Sequence, residues 1–246
     1  MKRLVSEELF KLRTTPAAWV ALAVTVSLGI ASVVSNILVP TAGPAFASVD
    51  HVNHALSVSA LTSMVMLTIG ILVMAGEYRH RTIMQTYLGE PRRARVLIAK
   101  LTTIGVLGAV LGAAVFGIAY AVAVVVYAAN GVHSLPVDLT QLWLGATLAT
   151  AVYGLLGVAL GALTRSTVAA IVGGITWAMI IENGILQIAV PEVAKWLPTG
   201  AGVAVTSVGS VGSELLPPGL AALVLVGWAA VLAGVAARIS LSRETR

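Results

Sequence analysis

Residues 101–129 read LTTIGVLGAVLGAAVFGIAYAVAVVVYAA, 29 positions without a charge. A helix needs roughly 20 consecutive apolar residues to cross the hydrocarbon of a bilayer. Immediately ahead of the stretch stand Arg92, Arg93, Arg95 and Lys100. Cytoplasmic flanks of spanning helices collect Lys and Arg, so this arrangement predicts a membrane helix whose first residues lie in the cytosol.

The same reading extends outward in both directions. Further apolar windows occupy 17–39, 55–75, 142–163, 167–190 and 219–237, which predicts six spanning helices in an all-α membrane protein and leaves little chain for a separate soluble domain; 1–246 is read as one transmembrane domain. Hydrophobic residues make up 58% of the sequence and charged ones 10%, against about 25% charged in soluble domains. With a mean hydropathy of +0.97, this composition excludes a water-soluble core. Fourteen of the fifteen Lys and Arg residues fall on one side of the implied membrane, and Lys195 alone falls on the other. The expectation is that both termini and the 76–100 segment are cytoplasmic. The isoelectric point near 9.9 does not imply nucleic acid, because the basic residues are dispersed along membrane flanks without stacking aromatics between them. They read as topology signals and contacts to anionic lipid. Cysteine is absent, which removes thiol chemistry from any mechanism. A basic start followed by Ala45-Phe46-Ala47 imitates a cleavable signal, but the apolar stretch is longer than the roughly 7–15 residues of a signal core.

Before the first window, Met1, Val5, Leu9 and Leu12 recur at helical spacing while Arg3, Glu7 and Lys11 share another face. With Arg13 they predict an interfacial helix over 1–15 on the inner leaflet, and Pro16 suits the first turn of the span that follows. The bland alternative is a basic start that only sets orientation. Residues 40–54 read as a solvated external loop; His51 and His54 lie three apart, but two imidazoles beside Asp50 are too few for a convincing metal site. The Gly108-xxx-Gly112 and Gly157-xxx-Gly161 spacings permit close approach of helix backbones, within the chain or at a subunit interface. Residues 191–218 are too apolar for a free loop and too interrupted by Pro and Gly for a span. They predict short helices dipping back toward the outer leaflet, or else an apolar loop resting on the surface.

Zinc-protease, nucleophile-elbow and phosphate-loop motifs are all missing from the sequence, so the chain is expected to be no enzyme, to hold no cofactor and to bind no ATP of its own. Glu182, with Asn183 beside it and Gln187 further along, is an acidic residue inside an apolar window. An ionisable group there marks a possible translocation path by default, or else sits shallow near the outer interface.

The cytosolic connection carries the most specific pattern: Gly76-Glu77-Tyr78-Arg79-His80-Arg81-Thr82, then Pro91-Arg92-Arg93 and Lys100. It resembles the connection between helices two and three of ABC-2-type transporter permeases, where Glu-Tyr-Arg-x-x-Thr precedes a Pro-Arg-Arg turn and a Lys in the next helix. Ser6 to Thr15 resembles the amphipathic start of the same family. The resemblance implies the membrane subunit of an ATP-driven bacterial exporter in the cytoplasmic membrane, paired with a second permease copy or homologue and two cytosolic ATPase subunits that bring ATP and Mg. It also implies that Glu77, Tyr78, Arg79, Arg81, Thr82, Arg92 and Arg93 dock the ATPase; the plainer alternative is that these arginines only retain the loop in the cytosol. The rival readings are an ion-coupled secondary transporter using Glu182 and a non-transporting membrane scaffold.

Overall fold

The computed structural model describes residues 6–7, 10, 16–38, 48–79, 93–207 and 215–242. Among them there is helix and no strand. The helices are α1 (Pro16–Leu38), α2 (Val49–Ala55), α3 (Val58–Arg79), α4 (Arg93–Ala129), α5 (Leu139–Thr164) and α6 (Thr167–Thr176). A π-helical stretch, Trp177–Leu186, prolongs α6 into α7 (Gln187–Ala189), and α8 (Pro191–Ala194), α9 (Pro198–Val205) and α10 (Pro218–Ser242) follow.

Among the described residues, five helical stretches are long and apolar enough to cross a membrane: Val49–Arg79, Ala94–Ala129, Leu139–Thr164, Thr167–Ala189 and Pro218–Ile239. Their outward faces carry Val106, Val125, Val168, Val172, Leu223 and Val231, each more than half exposed, which is the surface lipid tails would cover. This is the make-up of a multi-pass membrane protein. The first expected span is α1, Pro16–Leu38, which begins at Pro16 as the sequence suggested.

Helix α5 is the hub, packing against α3, α4, α6, α9 and α10. Glycine permits the closest of these approaches. A Cβ on Gly157 would stand 2.1 Å from the Leu67 carbonyl of α3, and one on Gly108 would stand 2.8 Å from the Ala151 Cα of α5. Both small-residue motifs therefore face neighbouring helices of the same chain, α3 for Gly157 and Gly161 and α5 for Gly108 and Gly112.

Three expectations change. Residues 49–55 are helical rather than loop: the Ser48 side chain accepts from the His51 amide to cap α2, and His51, Val52, Asn53 and Ala55 are buried. Helix α4 begins at Arg93, eight positions before the apolar window, because its first two turns pack against α3 and bury Val96, Leu97 and Ala99. The fifth window is not a uniform α-helix, since its second half adopts the wider π register. Within 191–218 the short helices α8 and α9 are present and packed, α9 against α5 and α10.

Candidate functional site

Two polar constellations stand out in this apolar molecule, at opposite ends of the helices. The first joins the ends of α3 and α4. Glu77 lies in the last turn of α3, where a carboxylate opposes the helix dipole. Lys100 Nζ meets its Oε1 at 2.9 Å, with the lysine side chain wholly buried and that of Glu77 13% exposed. The ammonium also reaches the Val73 carbonyl one turn back on α3, at 3.4 Å. An uncompensated charge at such a site is very unfavourable; the pair fixes α3 against α4 through an ionic contact largely screened from water.

The neighbouring Tyr78 extends the contact in another direction. The Arg165 guanidinium lies 5.4 Å from the centre of its ring, within cation–π range. Arg165 ends α5 with φ of 53°, in the left-handed region, and its amide donates to the Gly161 carbonyl. Consecutive residues at the end of α3 thus hold α4 on one side and the α5–α6 corner on the other. Arg79, at the tip of α3, is exposed. Arg93 opens α4. Arg81, Thr82 and Arg92 lie outside the described residues, as do Lys11 and Arg13 of the expected interfacial helix, of which Ser6, Glu7 and Phe10 are helical and exposed.

The second constellation centres on Glu182, 3% exposed in the π stretch. Its Oε1 accepts from Trp177 Nε1 at 2.5 Å and its Oε2 accepts from the Thr199 backbone amide at 2.7 Å. In an α-helix, residues five apart lie about 140° around the axis from one another. The i→i+5 register of a π-helix is what brings Trp177 and Glu182 together. Thr199 is the second residue of α9, whose own N-cap, Leu197, provides no side-chain acceptor, so the carboxylate from another helix takes that role. Tyr153 of α5, also buried, neighbours both Thr199 and Glu182. Asn183 and Gln187 do not join them; Asn183 is exposed and Gln187 partly so.

Glu77, Tyr78, Lys100 and Glu182 stand out in the sequence, but the contacts that join them to their partners do not. Arg165 carried no signal beyond standing alone between two windows. Trp177 and Thr199 were invisible because one depends on π register and the other contributes only its backbone. His51, weighed as a metal ligand, instead places Nδ1 2.6 Å from the Tyr127 hydroxyl of α4, while His54 is exposed. Comparison with protein-family models gives no match for this chain, and comparison with curated proteins gives none either.

Proposed function

We propose that this chain is the membrane subunit of an ATP-driven exporter, six spans per protomer with both ends in the cytosol, working with a second permease copy and two cytosolic ATPase subunits that carry ATP and Mg. Residues 191–218 dip back into the outer leaflet, the chain lies in the bacterial cytoplasmic membrane, and it moves a substrate without covalent chemistry. The observation that carries this reading is the Glu77–Lys100 pair. It joins the two helices on either side of the 80–92 connection, so a force applied to that basic connection by a docked partner reaches α3 and α4 together. Contacts from Tyr78 to Arg165 extend the joined unit to the α5–α6 corner. Rigid elements of this kind are what shear and rocking transitions require.

An ion-coupled transporter using Glu182 has less support. Both oxygens of that carboxylate are engaged by N–H donors that hold neighbouring structure in place.

The test is affinity capture of the full chain in mild detergent, followed by mass identification of what comes with it. A nucleotide-binding ATPase in stoichiometric amount, reduced at least several-fold by Glu77→Arg in a chain that still inserts, is the expected result. Uphill transport by the purified chain alone under a proton gradient, without nucleotide, overturns the proposal.

A further inference from the structure

Helix α9 joins the core around α5 and α10 through small side chains. It has eight residues, and its buried apolar side chains are Ala201, Ala204 and Val205. Isolated helices this short are marginal, and a few methyl groups give a small burial energy. Its approach to α5 is nevertheless close, since a Cβ on Gly145 would stand 2.0 Å from the Val205 carbonyl; a Cβ on Gly200 would stand 2.2 Å from the Ala194 carbonyl of α8, next to it in the chain. Polar ties surround it. Trp228 Nε1 donates to the Trp196 carbonyl just upstream, and Gln141 Nε2 donates to the Ser207 carbonyl just downstream. Between those two tethers, the Glu182 carboxylate accepts from the Thr199 amide at the start of α9, and Tyr153 of α5 stands beside the same residue.

We propose that Glu182 is the catch of a movable cover formed by residues 197–206. The tethers at Trp196 and Ser207 act as its two hinges. The carboxylate, presented by the π turn and steadied by Trp177, pins the first turn of α9 against α5. When that hydrogen bond is lost, α9 lifts from α5 and uncovers the end of the bundle where α5 begins and the π stretch ends. A π stretch suits the task because such stretches are rare and occur frequently at functional sites. This role goes beyond the exporter reading and holds whatever partner drives the molecule.

The chain's lack of cysteine makes the test direct. A single Ala201→Cys places the only thiol at a position with no exposure; the full chain is purified in mild detergent, treated with N-ethylmaleimide, and its modification followed by intact mass. Adding Glu182→Ala is expected to speed labelling by about tenfold or more, the shift that follows from losing one hydrogen bond to a charged group. Glu182→Gln should fall between, because the amide oxygen still accepts from Thr199 while its NH2 opposes the Trp177 N–H. A thiol at Ala123 of α4, fully buried in a part of the core that α9 does not touch, should stay slow in the Glu182→Ala chain. Unchanged labelling at 201 overturns the proposal. Equal acceleration at 123 and 201 overturns it too, since the carboxylate would then support the whole fold and not this cover.

Discussion

Lys100 and Glu77 approach to 2.9 Å from helices that the sequence separates by a basic connection, and the lysine has no solvent exposure. Removing one member of a buried pair leaves the other charge uncompensated, which costs about 3–5 kcal/mol, whereas replacing both with apolar groups is often neutral. Lys100→Met alone should therefore lower the thermal midpoint of the detergent-purified protein sharply, with Glu77→Gln doing the same. The double change Lys100→Met with Glu77→Leu should recover most of the loss. Additive losses in the double variant would mean that the two side chains act separately.

The α3–α5 contact depends on backbone proximity at Gly157. An added methyl there would meet the Leu67 carbonyl at 2.1 Å, and a carbonyl held within a helix cannot turn aside. Gly157→Ala should destabilise by about 1–3 kcal/mol or more, as overpacking does. Gly117→Ala, where nothing lies within 4 Å, should be neutral or slightly stabilising, since Ala is the better helix former by about 1 kcal/mol. Thermal unfolding of the two variants side by side tests this; similar midpoints would contradict the close crossing.

Much of this architecture was legible because lipid-spanning helices announce themselves by length of apolar run, and 142–163 and 219–237 fall inside α5 and α10. The start of α4 was not legible: Arg95 and Lys100 read as a cytosolic flank, and it is Glu77 on α3, together with the Val73 carbonyl, that helps make a lysine tolerable at a buried position. Helix α2 was hidden by its brevity, since seven residues with two histidines and an aspartate show no apolar period. The carboxylate of Glu182 was conspicuous in sequence, but its partners depend on helical register and on a backbone amide, neither of which is encoded by residue type. Gly108 and Gly157 were read correctly as close-packing positions, because a small residue repeated every four places has few other uses on a membrane helix.

The His51–Tyr127 contact ties α2 to the last turn of α4. The ring nitrogen and the phenolic hydroxyl are 2.6 Å apart, and the rings meet nearly edge to face at 5.8 Å and 76°. Tyr127→Phe keeps the ring packing and removes the hydroxyl, so the expected loss is about 1–3 kcal/mol, the cost of deleting one partner of a buried hydrogen bond. Tyr120→Phe, at a half-buried position on the same helix, should stay within about 0.5 kcal/mol of the parent. Amide exchange across 49–55 should rise in the first variant and not in the second. Equal stability of both would remove the contact from any structural role.

Arg165 is the one non-glycine residue with positive φ among the described residues, whereas the turn after α4 uses Gly131 at φ 83°. Left-handed backbone costs a non-glycine residue about 1–2 kcal/mol, and a cation over an accessible aromatic ring returns about 0.5–1 kcal/mol. The two effects can be separated by substitution. Arg165→Ala keeps the backbone cost and discards the cation, so stability should fall. Arg165→Gly discards both, so stability should hold or rise. If the arginine were present only to end α5, the glycine variant would be the better protein in every respect. If the chain is the exporter subunit proposed above, a role of Arg165 in joining Tyr78 to the α5–α6 corner predicts otherwise: Arg165→Gly should unfold no earlier than the parent yet lose ATP-driven transport, with Arg165→Lys restoring part of it. A glycine variant that is both stable and fully active would leave the contact with Tyr78 without a mechanical role.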